Sequence, residues 1–442
     1  MFVGRDKELA LLNKQFHSRK NALVVVYGRE GLGKTSLIKR LVEDKICVYY
    51  HGRELSPEEQ GFYFEKKKEE LAEYLIHGQG KICLVLDEFD QMQKANKSFF
   101  ADLQAYYDSL PPDRVMVLLI SSQTHWVKTS MAKDMGDFES QISLSLELKE
   151  FSFMEMTDRF PGVSTEDCLK IYAVLGGVPA YLDLWDLNKS YKENIKDLFL
   201  APGGKLRREA NRFLKTSLRE LPYYNTILSV LGEDRPKLNY LYARTGFSRA
   251  KISVYIKHLI QMGVAGKISS FEPEKKFMVM KGLYCITDKL LHFYYKLIYP
   301  NLTEAEWLDP EDFYETYLRE GLEDLCAQTY RGICLEMMQL MNQFNRLPDK
   351  FDSLASMYGK TGLIPIAASN SQGKILLGTC KWSQEAFDRQ DFETLLEDGK
   401  QVSDSVDYLY LFAKKGFSKD FKDYLQSQEN LPQVECIALD QM

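Results

Sequence analysis

The chain has 442 residues, 45% of them hydrophobic and 27% charged, which excludes a disordered chain, a fibrous repeat and a small disulfide-stapled scaffold. At about 100–150 residues per domain, this length predicts two to four domains, each with its own core. The net charge of −6 conceals an uneven distribution: −1 over residues 1–221, +7 over 222–300 and −12 over 301–442. A basic middle and an acidic end confine any contact with a phosphate backbone to residues 222–300. No apolar run approaches the ~20 residues of a membrane-spanning helix, and the start, MFVGRDKELALL, carries charge where a secretory signal is apolar. The expectation is a cytoplasmic protein with no membrane partner. Eight scattered cysteines without a CxxC pair, and six scattered histidines, signal neither a disulfide framework nor a zinc site.

In chain order, the first strong element is ALVVVY at 22–27, a continuous Val-rich run of the kind buried in a parallel sheet. It leads directly into Gly28-Arg29-Glu30-Gly31-Leu32-Gly33-Lys34-Thr35-Ser36 and a helical stretch. This is GxxxxGK[ST] between strand and helix, a setting that argues against a chance glycine-rich turn. The glycines allow backbone N–H groups to point inward at phosphates, and the helix N-terminus adds its positive dipole end. Lys34 is then the group for the β- and γ-phosphates, and Thr35 a ligand for Mg²⁺. ICVYYHGRE at 46–54 supplies another strand. Next, Ile82-Cys83-Leu84-Val85-Leu86 ends in Asp87-Glu88, with Asp87 holding the magnesium through water and Glu88 as the general base for the attacking water. A third apolar strand, Val115–Ile120, ends in Ser121-Ser122-Gln123-Thr124. Ser122 is the candidate sensor of the γ-phosphate, and the alternative is that these serines cap the following helix. Strands alternating with helices predict a parallel α/β sheet over residues 1–150.

Two further segments carry a family resemblance. Phe2-Val3-Gly4-Arg5-Asp6-Lys7-Glu8-Leu9 resembles the FxGRexEL box that precedes the P-loop in AAA+ and STAND ATPases. Ile171–Leu182, reading IYAVLGGVPAYL, resembles the GGxPxYL signature of the archaeal-type ATPases. The resemblance implies an ASCE-type P-loop NTPase that binds ATP with Mg²⁺. It places Phe2, Val3, Gly4 and Arg5 along the adenine and ribose, and Pro179 in a helical lid against the base. Taken alone, Gly176-Gly177 and Pro179 read as a helix stop and restart. Members of the family often carry an arginine where this chain has Gly136-Asp137-Phe138-Glu139-Ser140-Gln141. Its absence implies slow hydrolysis.

From 151 to 221 the pattern turns helical, including an amphipathic stretch at 205–220, and reads as the lid and a connecting helix. Residues 222–300 break into three helices, the last two separated by Thr245-Gly246-Phe247 with Ser248 as N-cap, followed by a hairpin from VAGKISS and KFMVMKGLYCI. This resembles a winged helix-turn-helix, an α+β module whose second helix carries Arg249, Lys251 and Lys257 as candidate contacts to duplex DNA. The same residues also fit an ordinary solvated face, and the module a protein-docking role. Aromatics such as Phe293, Tyr294 and Tyr295 read as core rather than as base-stacking platforms.

Residues 301–442 carry a helix and then strands at 362–369, 374–382, 405–417 and near VECIAL. This end resembles the α/β restriction-endonuclease-like PD-(D/E)xK domain, whose Asp and Glu-x-Lys hold a divalent metal. Lys381 is present, but Pro365 and Thr379 stand where the two acids belong, and Glu323 is the one remaining candidate carboxylate. The resemblance therefore implies a degenerate nuclease-like domain that packs against, or binds, a protein partner through its acidic surface. The reading as a whole is an ATP-driven conformational switch. The alternatives are an ATP-responsive DNA-binding regulator and a non-hydrolysing scaffold.

Overall fold

The computed structural model describes residues 4–234, 237–272, 279–358, 362–403, 405–428 and 431–442. Its contacts form two compact units: Met1–Arg159 with Gly177–Asp183, and Phe160–Gly176 with Leu184–Met442. Among the described residues, no helix is long and apolar enough to cross a membrane.

The first unit is built on five parallel strands: β1 (Ala22–Tyr27), β2 (Cys47–His51), β3 (Ile82–Asp87), β4 (Val115–Ser121) and β5 (Ile142–Glu147). Their order is β2-β3-β4-β1-β5. The uninterrupted apolar runs of β3 and β4 are buried along their whole length, because a parallel sheet is covered on both faces. β5, reading ISLSLE, lies at one edge and is only partly buried. One core gathers Leu23, Val25, Leu84, Leu86, Val117 and Leu119 against Phe64, Phe89, Phe99 and Phe100. The glycine-rich turn after β1 and the acids after β3 therefore belong to strands that are not neighbours. β4 lies between them and delivers Ser121 and Ser122 to the same sheet end.

In the second unit the helix Thr165–Leu175 stops at Gly176, whose φ of 64° lies in the region glycine favours. The amphipathic stretch expected over 205–220 forms a shorter helix, Glu209–Ser217. The residues before it fold back on the preceding turn: Leu206 N donates to Leu198 O at 2.9 Å, and the Arg207 guanidinium donates to Leu200 O at 2.7 Å. Three helices follow, Leu221–Gly232, Leu238–Thr245 and Arg249–Gln261. Gly246 is left-handed at φ 67°, and the Ser248 hydroxyl accepts from Lys251 N at 3.2 Å, as the turn and cap signals predict. β6 (Ala265–Ser270) and β7 (Val279–Ile286) form an antiparallel hairpin.

After the long helix Arg319–Gln343 comes a mixed sheet of order β12-β11-β10-β9-β8. Its strands are β8 (Ser353–Tyr358), β9 (Leu363–Ser369), β10 (Ile375–Lys381), β11 (Tyr408–Ala413) and β12 (Gln433–Ala438). β9 runs antiparallel to both β8 and β10, while β10, β11 and β12 are parallel. The helices Arg389–Gly399 and Lys419–Ser427 make the two parallel connections. β8, reading SLASMY, is a strand that the sequence pattern does not announce, because it lacks β-branched residues.

Asp234 staples this unit across three helices. It sits just past Leu221–Gly232, and its carboxylate accepts from His292 Nε2 and Gln328 Nε2, each at 2.8 Å, and from Lys296. Partial burial raises its pKa, but these three donors outweigh that and hold it at about 2. A depressed carboxyl pKa stabilises the fold above the unfolded value near 3.8 and loses that contribution as pH falls toward 2. With its side chain 29% exposed, the contribution is discounted for screening to about 1–2 kcal/mol. Asp234→Asn is expected to remove that much stability at pH 7 and to flatten the loss between about pH 4 and pH 2, as read by urea unfolding across pH.

Candidate functional site

The turn after β1 is shaped by close packing. A Cβ on Gly28 would lie 2.6 Å from Leu148 O, and Gly31 and Gly33 adopt φ of 86° and 84°. Gly33 caps the helix Lys34–Val42, so its first N–H groups open toward the turn. Leu32 is buried below, while Glu30 and Ser36 are exposed. The Lys34 side chain is buried, and its ammonium donates to Gly28 O at 2.6 Å, Arg29 O at 3.1 Å and Ser122 Oγ at 2.8 Å. Burial pushes its pKa down, against the nearby carboxylates of Glu88 and Asp87.

Asp87 closes β3 and is 3% exposed. Its Oδ2 accepts from Thr35 Oγ1 at 3.2 Å and from Tyr49 OH at 2.7 Å, and its Oδ1 accepts from Glu88 N at 3.1 Å. Glu88 is a non-glycine residue held at φ 50°, a conformation that costs on the order of 1 kcal/mol and recurs at functional sites. Its carboxylate accepts from Ser122 N at 3.2 Å and from the Ser122 hydroxyl. Burial raises the Glu88 pKa, the two Ser122 bonds oppose this, and the nearby Asp90 adds to the rise. The two serines divide their work. The Ser121 hydroxyl donates to buried Asp90 at 2.8 Å and accepts from Gln123 N at 3.0 Å, so the helix-start contact is its own. Ser122 bridges Lys34 and Glu88.

The segments before β1 and after Gly176 meet at the same turn. Gly4 and Arg5 are left-handed, with φ of 76° and 68°. The Arg5 guanidinium lies 4.5 Å from the centre of the Phe151 ring and donates to Lys149 O, and at 3.0 Å to Glu8 Oε1. Phe2 and Val3 lie outside the described residues. Gly177 packs so tightly that a Cβ would fall 1.9 Å from Phe151 O, and Phe151 N donates to Gly177 O at 2.9 Å. Ala180 N then donates to Gly31 O at 3.1 Å, which places Pro179 beside the turn. A cavity of about 720 Å³ opens here, lined by Arg5, Gly33, Phe151, Arg159, Pro179 and Asp183. Arg159 pairs with Asp183, and Arg29 with Glu150 at 3.0 Å. Tyr49, Phe151, Arg159 and Asp183 carry no motif signal. They join the site only through strand register and the docking of Gly177.

The remaining candidates lie elsewhere. Arg249 and Lys257 are exposed on the helix Arg249–Gln261. The Lys251 ammonium instead sits 3.3 Å from the Tyr223 ring centre and 4.6 Å from that of Phe247. Gly136–Gln141 forms a short 3₁₀ turn anchored by buried Phe138. In the mixed sheet, Lys381 donates to Asp391 Oδ2 at 2.7 Å and Ala386 O at 3.1 Å, and Glu323 accepts from Trp382 Nε1 at 3.0 Å. Gly378 pairs with Ile366, so Thr379 and Pro365 are the next residues on each strand. Among the described residues, no three His, Cys, Asp or Glu side chains are grouped to hold a metal.

A family model described as an ATPase domain predominantly from Archaea matches residues 2–75, and one described as archaeal and bacterial proteins of unknown function matches residues 294–394. An uncharacterized protein of Methanocaldococcus jannaschii is 25% identical over 448 aligned residues, covering 96% of this chain and 98% of that protein. An uncharacterized ATP-binding protein of the same organism is 44% identical over 45 residues, which is 10% of this chain and 76% of that protein. Among solved structures, a Walker-type ATPase of Pyrococcus abyssi is similar over 67% of this chain and 96% of its own, at 14% identity and a TM-score of 0.49. Over residues 2–75, which hold the glycine-rich turn and the start of the helix Lys34–Val42, the chain belongs to the predominantly archaeal ATPase domain family.

Proposed function

We propose that the first unit binds ATP with Mg²⁺ and hydrolyses it slowly, and that the nucleotide state switches the conformation of the chain. The observation that carries this reading is the single hydrogen-bonded array in which Ser122 joins Lys34 to Glu88, beside the Thr35–Asp87 pair. The inward backbone N–H groups of the turn and the start of the helix Lys34–Val42 receive the phosphates. Lys34 exchanges its bonds to Gly28 O and Arg29 O for phosphate oxygens, a favourable trade for a buried ammonium. Thr35 and Asp87 offer two hard oxygens 3.2 Å apart, a donor set that suits Mg²⁺, and these residues would hold it. When bound, the ion neutralises charge on the phosphates. Glu88 takes the proton of the attacking water, and burial keeps its pKa above the ordinary carboxylate value, closer to what a general base needs. The nucleobase enters the cavity between Arg5, Phe151 and Pro179.

The switch follows from the chain path. Gly177–Asp183 docks on the phosphate turn, and Gly176 joins it directly to the helix Thr165–Leu175 of the second unit. A nucleotide that moves Pro179 therefore pulls on that helix. The three helices and hairpin over 221–286 fit a winged helix, and the second reading, a DNA-binding regulator, rests on the +7 charge of residues 222–300 and on exposed Arg249 and Lys257. Lys251, held over Tyr223, counts against it. The helix, three antiparallel strands and two parallel crossover strands of the C-terminal region fit a restriction-endonuclease-like fold, in which Lys381 is occupied by Asp391.

Three variants test this reading. Lys34→Ala is expected to weaken ATP binding at least ~10-fold, and Glu88→Gln to retain binding while phosphate release falls by roughly 10²-fold or more. Equal phosphate release by wild type and both variants would refute the enzyme assignment. Wild-type turnover is expected to rise with pH through a Glu88 limb displaced upward from the ordinary carboxylate range. Gly177→Ala must displace Phe151 backbone, so a stability loss of about 1–3 kcal/mol in urea and a weaker ATP titration are expected together.

A further inference from the structure

We infer that Tyr49 is the positioning residue of the magnesium site, through which edge strand β2 sets how strongly nucleotide binding depends on Mg²⁺. The inference rests on the ATP reading above and adds to it a residue that belongs to no motif. β2 ends the sheet and pairs only with β3, with Tyr49 opposite Val85 and His51 opposite Asp87. Alternation along a strand puts residues 49 and 51 on one face, the face from which Asp87 is reached. Tyr49 OH donates to Asp87 Oδ2 at 2.7 Å, the shortest contact given to that carboxylate, while His51 Nδ1 stays 3.8 Å away.

The chemistry of the three donors to Asp87 separates their roles. Glu88 N is backbone and fixes Oδ1 from within the same turn. Thr35 Oγ1 reaches Oδ2 at 3.2 Å, but this hydroxyl is itself a candidate metal ligand, so its bond to Asp87 is the one that metal binding redirects. Tyr49 is then the one side-chain donor among them that can keep holding Oδ2. A phenol suits this task because two torsions define its hydroxyl position, so little entropy is lost in orienting the carboxylate. Tyr49 as a whole is 40% exposed, while its hydroxyl bonds to Asp87, a residue that is 3% exposed. An aromatic that merely covered the sheet edge would satisfy the packing without the hydroxyl. Partners that orient a metal-binding carboxylate are commonly worth 10–100-fold in metal affinity.

The test is Tyr49→Phe in the full chain, with binding of a fluorescent ATP analogue titrated against Mg²⁺ and, separately, measured in EDTA. The expected result is a midpoint for Mg²⁺ raised about 10-fold, with binding in EDTA and the thermal midpoint unchanged. Tyr49→Leu, which also loses the ring, should show the same Mg²⁺ shift, with any added loss of stability appearing in the melt. An unchanged or lower Mg²⁺ midpoint in Tyr49→Phe overturns the inference and leaves the nucleotide reading standing. Equal weakening in EDTA and in Mg²⁺ overturns it as well, by making the hydroxyl merely structural. Failure of the wild type to bind the analogue under either condition overturns both.

Discussion

The site depends on where β4 sits. Had β1 and β3 been neighbours, Lys34 and Glu88 would come from adjacent strand ends, with no polar group fixed between them. With β4 inserted, the Ser122 hydroxyl accepts from a buried ammonium and donates to a partly buried carboxylate, so two charges that burial disfavours share one small hydroxyl. A buried ion is tolerable only when its hydrogen-bonding capacity is met, and here the loop carbonyls and Ser122 meet that of Lys34. The same insertion explains the opposite pKa displacements of the two groups. Each is pushed toward its neutral form by burial, and each is restrained by the other's charge.

The strand, turn and helix from β1 into Lys34–Val42 were legible in the sequence, because a Val-rich run ending in closely spaced glycines constrains the local backbone. The turn from Gly28 to Ser36 can serve its purpose only between a strand and a helix, and the carboxylates of Asp87 and Glu88 only at a strand end. The helix cap at Ser248 and the turn at Gly246 were legible for a similar reason, since local backbone geometry dictates residue type. What was not legible depends on distance along the chain. Phe151 and Gly177 meet through a backbone approach that leaves no room for a Cβ, yet neither residue marks the other in the sequence. Tyr49 and Tyr50 are adjacent and alike, and only the register with β3 shows which of them reaches Asp87. Lys251 reads as a solvated cation or a DNA contact until Tyr223 and Phe247, from a neighbouring helix and turn, are seen beneath it.

The divided charge acquires a structural meaning in the C-terminal region. An overall −12 suggests an acidic surface with stray lysines, but the lysines nearest the mixed sheet are committed internally. Lys381 is held by Asp391. Lys414, with its side chain fully buried, lies 4.2 Å from the Trp382 ring centre and 3.0 Å from Glu166, which Lys415 reaches at the same distance. Partial burial raises the Glu166 pKa, but bonds from Lys170, Lys414 and Lys415 override this and hold it at about 2.

Glu166 belongs to the first turn of the helix Thr165–Leu175, the helix that ends at Gly176 and continues into the segment docked on the phosphate turn. Lys414 and Lys415, just past β11, thus hold the first turn of this helix, whose last residue is followed by Gly176. Gly176, at φ 64°, ends the helix in a conformation that costs glycine little. Lys414 and Lys415 are therefore committed to Glu166, a partly buried acid of the same unit. Lys381, Lys414 and Lys415 are each engaged by an acid of the same unit, so these three cations leave the excess of carboxylates over residues 301–442 unmatched.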